Sequence, residues 1–153
     1  MKQRILFLCT GNSARSQMAE ALLRLIAGDY FEAESAGTSP AGLNPLTVEA
    51  MREIGVDARR HRSKHVEEFV LQSFDYIITV CDRGKETCPI YPEAQNVRHW
   101  SFDDPAAASA GTQLEVFRRI RDELADRLCK FLIEDVNLIP AALKCYRCGH
   151  DYH

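Results

Sequence analysis

The sequence predicts an α/β fold in which helices flank a parallel sheet. Short apolar segments alternate with amphipathic helical segments along the chain, and this alternation is typical of βαβ units with a parallel sheet. The apolar segments lack a polar face, which predicts strands that are buried on both sides. A length of 153 residues suits one domain with an adequate core. Right-handed crossovers then place ligands at the carboxyl ends of the strands.

Four segments are predicted strands, and the first and third of them have the apolar character of buried strands. They are residues 5–8, 31–35, 76–80 and 97–100. Two of these segments run directly into a cysteine, Cys9 in the first case and Cys81 in the third. We therefore expect both cysteines at the same edge of the sheet.

The helical segments have recognisable beginnings and apolar stripes. Residues 17–26 keep strong helix formers in register, and residues 114–134 form a long amphipathic pattern. Asn44 and Pro45 are typical of a helix start, and Gly55 of the turn that follows. Ser63 is expected to cap a short helix at 66–71.

The loop after the first strand predicts an anion site. A strand, a tight polar loop and a helix start direct several backbone N–H groups and the positive end of a helix at one spot. Gly11 is expected to let the backbone come close, and Arg15 to bind two oxygens of a tetrahedral oxyanion. The same positive field favours the thiolate form of Cys9. The plainer alternative is a buried strand-end cysteine beside a surface arginine.

We expect the whole loop to contribute to substrate binding. The residues are Thr10, Gly11, Asn12, Ser13, Ala14 and Arg15.

A thiolate in an anion cradle attacks phosphorus or arsenic, and the departing oxygen then needs a proton. Asp104 is the candidate acid, because Pro105 stiffens its loop and the topology brings that loop to the ligand edge. Asp103 is the runner-up. An ordinary Asp-Pro turn explains the same residues equally well.

The positions of the six cysteines do not indicate a disulfide framework. They lie in the anion loop, around one later loop, in a helix and near the end of the sequence: Cys9, Cys81, Cys88, Cys129, Cys145 and Cys148. Such positions favour catalytic, redox or metal-binding roles in a reducing compartment.

Composition excludes several classes of partner. A net charge of −3 gives no general attraction to nucleic acid or anionic membranes, so an anion site must be local. The sequence contains no apolar run near the ~20 residues of a spanning helix, and we expect no signal peptide. We expect a cytoplasmic monomer without a bound cofactor.

Three motifs together resemble the thioredoxin-coupled arsenate reductases, which share the low-molecular-weight protein tyrosine phosphatase fold. They are Cys-Thr-Gly-Asn-Ser-Ala-Arg-Ser-Gln-Met-Ala-Glu at 9–20, Cys81 and Cys88 followed by Pro-Ile-Tyr-Pro, and His-Trp-Ser-Phe-Asp-Asp-Pro-Ala at 99–106. The resemblance implies a four-stranded parallel sheet flanked by helices. It also implies that Cys9 is the nucleophile, Arg15 the oxyanion clamp, Ser16 a support for the thiolate and Asp104 the general acid.

The resemblance further implies a relay of three cysteines. Cys9 attacks arsenate, Cys81 attacks the Cys9 sulfur as arsenite departs, and Cys88 leaves a disulfide with Cys81 for thioredoxin or another thiol reductant to open. Phosphate shares the charge and shape of arsenate, so we expect it to compete.

Two other functions remain open from the sequence. One is a phosphatase of phosphotyrosine or small phosphoesters, although phosphatases of this fold usually carry proline where Gln17 stands and an aromatic residue after the Asp-Pro pair, where this chain has Ala106. The other is a non-catalytic oxyanion-binding domain, against which the presence of both Cys9 and Asp104 argues.

Lys64 stands where some relatives carry an aspartate that completes a potassium site with groups matching Asn12, Glu20 and Ser35. We expect either that its ammonium replaces the ion, which makes activity independent of potassium, or that it is a surface lysine.

The sequence divides into a domain at 1–134 and a tail at 135–153. In the tail, Cys145, Cys148, His150 and His153 are sufficient in number for tetrahedral zinc. A redox-active pair and a disordered tail are the alternatives.

Overall fold

A computed structural model describes residues 2–82, 96–144 and 146 of the chain. Its sheet is parallel throughout and has the strand order β2-β1-β3-β4. The strands are β1 at Gln3–Cys9, β2 at Phe31–Gly37, β3 at Tyr76–Thr79 and β4 at Val97–His99. The predicted fold class is therefore confirmed.

Three α-helices accompany the sheet in the described part of the chain. They are α1 at Arg15–Ala27, α2 at Pro45–Arg52 and α3 at Gln113–Glu134. Asn44 caps α2 as predicted, since its side chain accepts from the N–H of Leu46 at 2.9 Å. Helix α3 is long but charged on one face, and none of the described helices is both long and apolar enough to cross a bilayer.

The sheet separates two apolar clusters because successive strand residues point to opposite faces. Ile5 and Phe7 of β1 belong to the larger cluster, which includes the buried faces of α1 and α3. Leu6 and Leu8 face the smaller cluster, where Phe69 covers them. Because β1 lies inside the sheet between these clusters, its position determines where its last residue, Cys9, lies at the edge of the sheet.

The short helix after residue 63 differs from the prediction. It is a 3₁₀ helix at Val66–Phe69, and the ring nitrogen Nδ1 of His65 accepts from the N–H of Glu67 at 3.1 Å as its cap. Ser63 as the cap is wrong, because its hydroxyl donates instead to the carbonyl of Gly11 at 3.1 Å. The Ser63 side chain therefore makes a tertiary contact instead of the local helix cap that the sequence predicted.

The chain stays in contact with the body after Glu134. Leu143 is buried, the N–H of Lys144 donates to the carbonyl of Ile26 at 2.9 Å, and the hydroxyl of Tyr146 lies 2.6 Å from a carboxylate oxygen of Asp122. The division between residues 134 and 135 stays a prediction, but these contacts continue the packing of the domain beyond it.

Candidate active site

The end of β1 delivers a buried thiol into the loop that follows. Cys9 is 2% exposed, and its Sγ lies 2.8 Å from Oγ of Ser16 and 3.3 Å from the backbone nitrogen of Asn12. Ser16 reaches the thiol from the first turn of α1, since that helix begins one residue earlier at Arg15. Strand end, loop and helix start thus converge on one sulfur atom.

The oxyanion loop, residues 9–15, turns its carbonyl oxygens outward. Each of three carbonyls accepts from a backbone N–H of the segment leading into α2: Thr10 from Ser39 at 2.9 Å, Gly11 from Ala41 at 2.9 Å and Ser13 from Asn44 at 3.1 Å. In a trans peptide unit the N–H points opposite to the carbonyl. The N–H groups that follow these carbonyls therefore face the inside of the loop, as that of Asn12 does where it contacts Cys9.

The side chain of Asn12 sets the direction of hydrogen bonding around the thiol. Its Oδ1 accepts from the backbone N–H of Lys64 at 2.8 Å and from Nε2 of Gln17 at 3.0 Å. Its Nδ2 therefore donates to Oγ of Ser16 at 2.8 Å. With an acceptor site of Ser16 occupied in this way, its hydroxyl hydrogen is available to the Cys9 sulfur.

The backbone around this loop is constrained at Asn12 and Gly37, whereas the close approach of the Gly11 backbone to an oxyanion stays a prediction. A Cβ at Gly11 would meet only ordinary contacts, the nearest at 3.5 Å. Asn12 instead has a φ of 47°, in the left-handed region that asparagine tolerates better than most residues. Gly37 of β2 is constrained by space, because a Cβ there would lie 2.4 Å from the carbonyl oxygen of Thr10.

Arg15 joins the oxyanion loop to the segment that carries the candidate acid. Its side chain is nearly buried, and one guanidinium nitrogen donates to the carbonyl of Phe102 at 3.1 Å. Asp104 follows two residues later, is half-buried and accepts from the N–H of Ala106 at 3.0 Å. Asp103 is exposed and pairs with Arg119 at 3.2 Å. The two aspartates therefore have different environments, and the acid role of Asp104 stays a prediction.

Cys81 lies at the same sheet edge as Cys9. Leu8 of β1 pairs with Thr79 of β3, and the carbonyl of Leu8 accepts from the N–H of Val80 at 2.9 Å. Strand spacing and rise then put the Cα atoms of the two cysteines roughly 6 Å apart, within the range that a disulfide spans. Cys81 is fully buried and disulfide-bonded, whereas Cys9 is a free thiol. Cys88 lies outside the described residues.

Lys64 is buried behind the oxyanion loop, so the surface-lysine alternative is wrong. Its Nζ donates to the carbonyl of Arg62 at 3.1 Å and lies 3.5 Å from Oε1 of Glu20. The same carboxylate oxygen accepts from the hydroxyl of Ser35 at 2.9 Å. A protein ammonium therefore occupies the neighbourhood in which the resemblance implies a cation.

Sequence reasoning missed two residues that support this loop. Gln17 is fully buried against Asn12 and Arg62, and Nδ1 of His61 lies 3.2 Å from its Oε1. Burial lowers the pKa of His61, although the nearby Glu20 carboxylate acts in the opposite direction. The contact between His61 and Gln17 joins residues 44 positions apart. Gln17 lies within the 9–20 motif, but no sequence pattern near His61 predicts that its side chain points into the protein.

The described residues contain no cluster of three or more potential metal ligands. Cys145, Cys148, His150 and His153, the zinc candidates, lie outside the described residues. Cys129 is fully buried within the larger apolar cluster and is not part of a disulfide.

The chain is similar to known proteins over most of its length. The low molecular weight phosphotyrosine protein phosphatase family matches residues 4–142. The arsenate reductase of Halalkalibacterium halodurans is 44% identical over 133 residues, which cover 85% of this chain and 95% of that protein.

Two solved structures share the fold. One, described as an arsenate reductase in the phosphate binding state, has a TM-score of 0.74 and 27% identity and covers 86% of this chain and 98% of its own. The other is the thioredoxin-dependent arsenate reductase of Corynebacterium glutamicum, with a TM-score of 0.62 and 28% identity. The match covers 86% of this chain and 63% of that one.

Two features indicate the class to which this protein belongs. One is the parallel four-stranded sheet, and the other is the loop after β1 that contains a cysteine and an arginine. The chain belongs to the low molecular weight phosphotyrosine protein phosphatase family. Within that family it belongs with the arsenate reductases.

Proposed function

We propose that this protein reduces arsenate to arsenite by a relay of three cysteines, and that thioredoxin or another thiol reductant regenerates it. The observation that carries the proposal is the placement of two cysteines on neighbouring strands. Cys9 is a free thiol inside the oxyanion loop, and Cys81, disulfide-bonded, lies at the end of β3. A phosphatase needs the first cysteine and has no use for the second.

In the first step the oxyanion loop binds arsenate. The inward N–H groups and the guanidinium of Arg15 neutralise its charge. The Cys9 thiolate, held by Ser16, attacks arsenic, and an oxygen leaves as water after Asp104 protonates it. The product is an adduct in which Cys9 is bonded to As(V).

In the second step two electrons reach arsenic. The Cys81 thiolate attacks the Cys9 sulfur, a Cys9–Cys81 disulfide forms, and the electron pair of the sulfur–arsenic bond leaves with arsenic, which departs as arsenite. The estimated Cα separation permits this disulfide without rearrangement of the strands.

In the third step the Cys88 thiolate attacks Cys81, which restores the Cys9 thiolate and leaves a Cys81–Cys88 disulfide. Two thiols of a reductant such as thioredoxin then reduce that disulfide. A free Cys9 together with a bonded Cys81 corresponds to the end of this step. The dependence of the cycle on free thiols supports a cytoplasmic location.

The direct test is arsenite formation with purified thioredoxin, thioredoxin reductase and NADPH, compared with hydrolysis of p-nitrophenyl phosphate. Cys81→Ser and Cys88→Ser are expected to abolish repeated turnover of arsenate and to leave phosphoester hydrolysis unaffected. Cys129→Ala is the matched control, because Cys129 is a buried thiol on helix α3 and has no role in the proposed relay. Inorganic phosphate is expected to inhibit in competition with arsenate.

Phosphatase activity is the second candidate function, and the family match favours it. The same thiolate, Arg15 and Asp104 could hydrolyse a small phosphoester through a phosphocysteine. Residues 106–108 after the Asp-Pro pair are alanines and offer no aromatic platform for a phosphotyrosine ring. We therefore propose at most weak hydrolysis of small esters. Efficient phosphotyrosine hydrolysis without arsenite formation would replace the first proposal with this one.

We further propose that the protein is a monomer in solution, since the proposed relay uses the cysteines of one chain. Size-exclusion chromatography with light scattering tests this. Zinc binding by Cys145, Cys148, His150 and His153 remains a separate prediction. Metal analysis of protein purified without a histidine tag tests it, and Cys148→Ser is the variant expected to lose the metal.

A further inference from the structure

We propose that Gln17 is a positioning residue that acts through Asn12 to hold the hydrogen-bond chain of Cys9. The inference rests on the proposed role of Cys9 as the nucleophile. Nε2 of Gln17 donates to the carbonyl of Asn12 at 3.1 Å, to its Oδ1 at 3.0 Å and to the carbonyl of Arg62 at 2.9 Å. One fully buried amide thus joins the oxyanion loop to the segment around Arg62.

The orientation of the Gln17 amide follows from its partners. Three oxygen acceptors surround one end, and only the NH₂ group satisfies them. At the other end Oε1 lies 3.2 Å from Nδ1 of His61, which is also 3.4 Å from Oε2 of Glu20. A ring nitrogen between two acceptors carries its hydrogen, so His61 donates to Gln17. Both ends of the amide are therefore fixed.

Asn12 needs such support because its backbone is in an uncommon conformation. At a φ of 47° the residue occupies the left-handed region. Gln17 contacts both its backbone carbonyl and its side-chain oxygen, which couples the backbone conformation to the direction of the side chain. The consequence is that Nδ2 of Asn12 stays on Ser16, and the hydroxyl of Ser16 stays on the Cys9 sulfur.

Without the Gln17 amide, Asn12 would keep its contact with the N–H of Lys64 but lose the partner that binds it at two points. Its side chain could then turn, and Ser16 would spend less time with its hydrogen directed at sulfur. A sulfur with fewer directed donors is held less firmly in the arrangement from which it reacts. Gln17 therefore acts on the reactivity of Cys9 without touching substrate.

The test is the rate at which iodoacetamide alkylates Cys9 as a function of pH, followed by peptide mass spectrometry. Gln17→Met keeps the length of the side chain and removes its hydrogen bonds. We expect alkylation at neutral pH to slow roughly tenfold. Gln72→Met is the matched control, because Gln72 is exposed and contacts Arg4 and Glu68, away from the loop. If Gln17→Met does not fold, Gln17→Ala removes the same donors without adding a charge.

A double-mutant cycle with Asn12→Ala separates positioning from packing. If Gln17 acts through Asn12, the effects of the two substitutions on Cys9 alkylation are strongly non-additive. Additive effects, or a lower melting temperature with an unchanged alkylation profile, would overturn the inference. The assay contains no arsenate, so its outcome does not depend on whether the protein reduces arsenate.

Discussion

The guanidinium of Arg15 donates to the carbonyl of Phe102 across 87 positions of sequence, at 3.1 Å. This bond connects the first βα unit with the loop that follows β4. It brings Asp104, two residues after Phe102, towards the end of the sheet at which Cys9 emerges. Arg15 therefore has a structural role in assembling the site besides its proposed role in binding oxyanion.

Asp104→Asn is predicted to lower kcat for arsenate reduction by roughly 10²–10⁴-fold, the usual contribution of a general acid. Asparagine keeps the oxygen that accepts from Ala106, so the short helix at Pro105–Ala107 should persist. Asp103→Asn is the control, since it removes only an exposed ion pair with Arg119. Steady-state kinetics of the two variants checks this, and equal losses would remove the acid role from Asp104.

Replacing sodium by potassium is predicted to leave activity unchanged, because the Lys64 ammonium already provides a positive charge beside Glu20. Lys64→Gln is predicted to lower stability by about 2 kcal/mol, the scale of a hydrogen bond to a charged group. Arg24 still neutralises Glu20 in that variant, at 3.0 Å.

The control for the lysine is Lys144→Gln, which removes an exposed pair with Asp29. Activity assays in matched potassium and sodium buffers, with urea unfolding of both variants, complete the test. A several-fold rise of wild-type activity in potassium would contradict the proposed role of Lys64.

His61 is predicted to make stability depend on pH. Burial lowers its folded-state pKa below the usual 6.5, so on acidification the unfolded chain binds a proton that the folded chain does not. The contribution of His61 to the free energy of unfolding is fully present above about pH 6.5 and declines as the pH falls below that value. Urea unfolding at pH ~7.5 and pH ~5.5 should show a smaller difference for His61→Gln than for wild type. The same difference in both proteins would show that His61 does not cause it.

The sequence was informative where chemistry lies within one contiguous stretch. Strand β1, the loop at 9–15 and helix α1 follow directly along the chain, so patterns of apolar and polar residues were enough to predict this strand, loop and helix. The strand positions were predicted for the same reason, with ends that shifted by up to two residues.

The support of the loop was not predictable, because it comes from distant residues. Lys64 reaches Asn12 across 52 positions, and Ser63 reaches Gly11 across the same distance. Local rules made Ser63 a helix cap, but the folded chain uses its hydroxyl against the loop. Gly37 is a further example, since only the pairing of β2 with β1 brings its Cα against the Thr10 carbonyl.

The central claim is that oxidation starts at Cys9 and ends between Cys81 and Cys88. Fully reduced protein can be treated with arsenate in the absence of any reductant, arsenite quantified, and the disulfides mapped by mass spectrometry. The account predicts about one arsenite per chain, a Cys81–Cys88 disulfide and a free Cys9 thiol. Arsenite formation with the thiols of Cys81 and Cys88 both intact would contradict it.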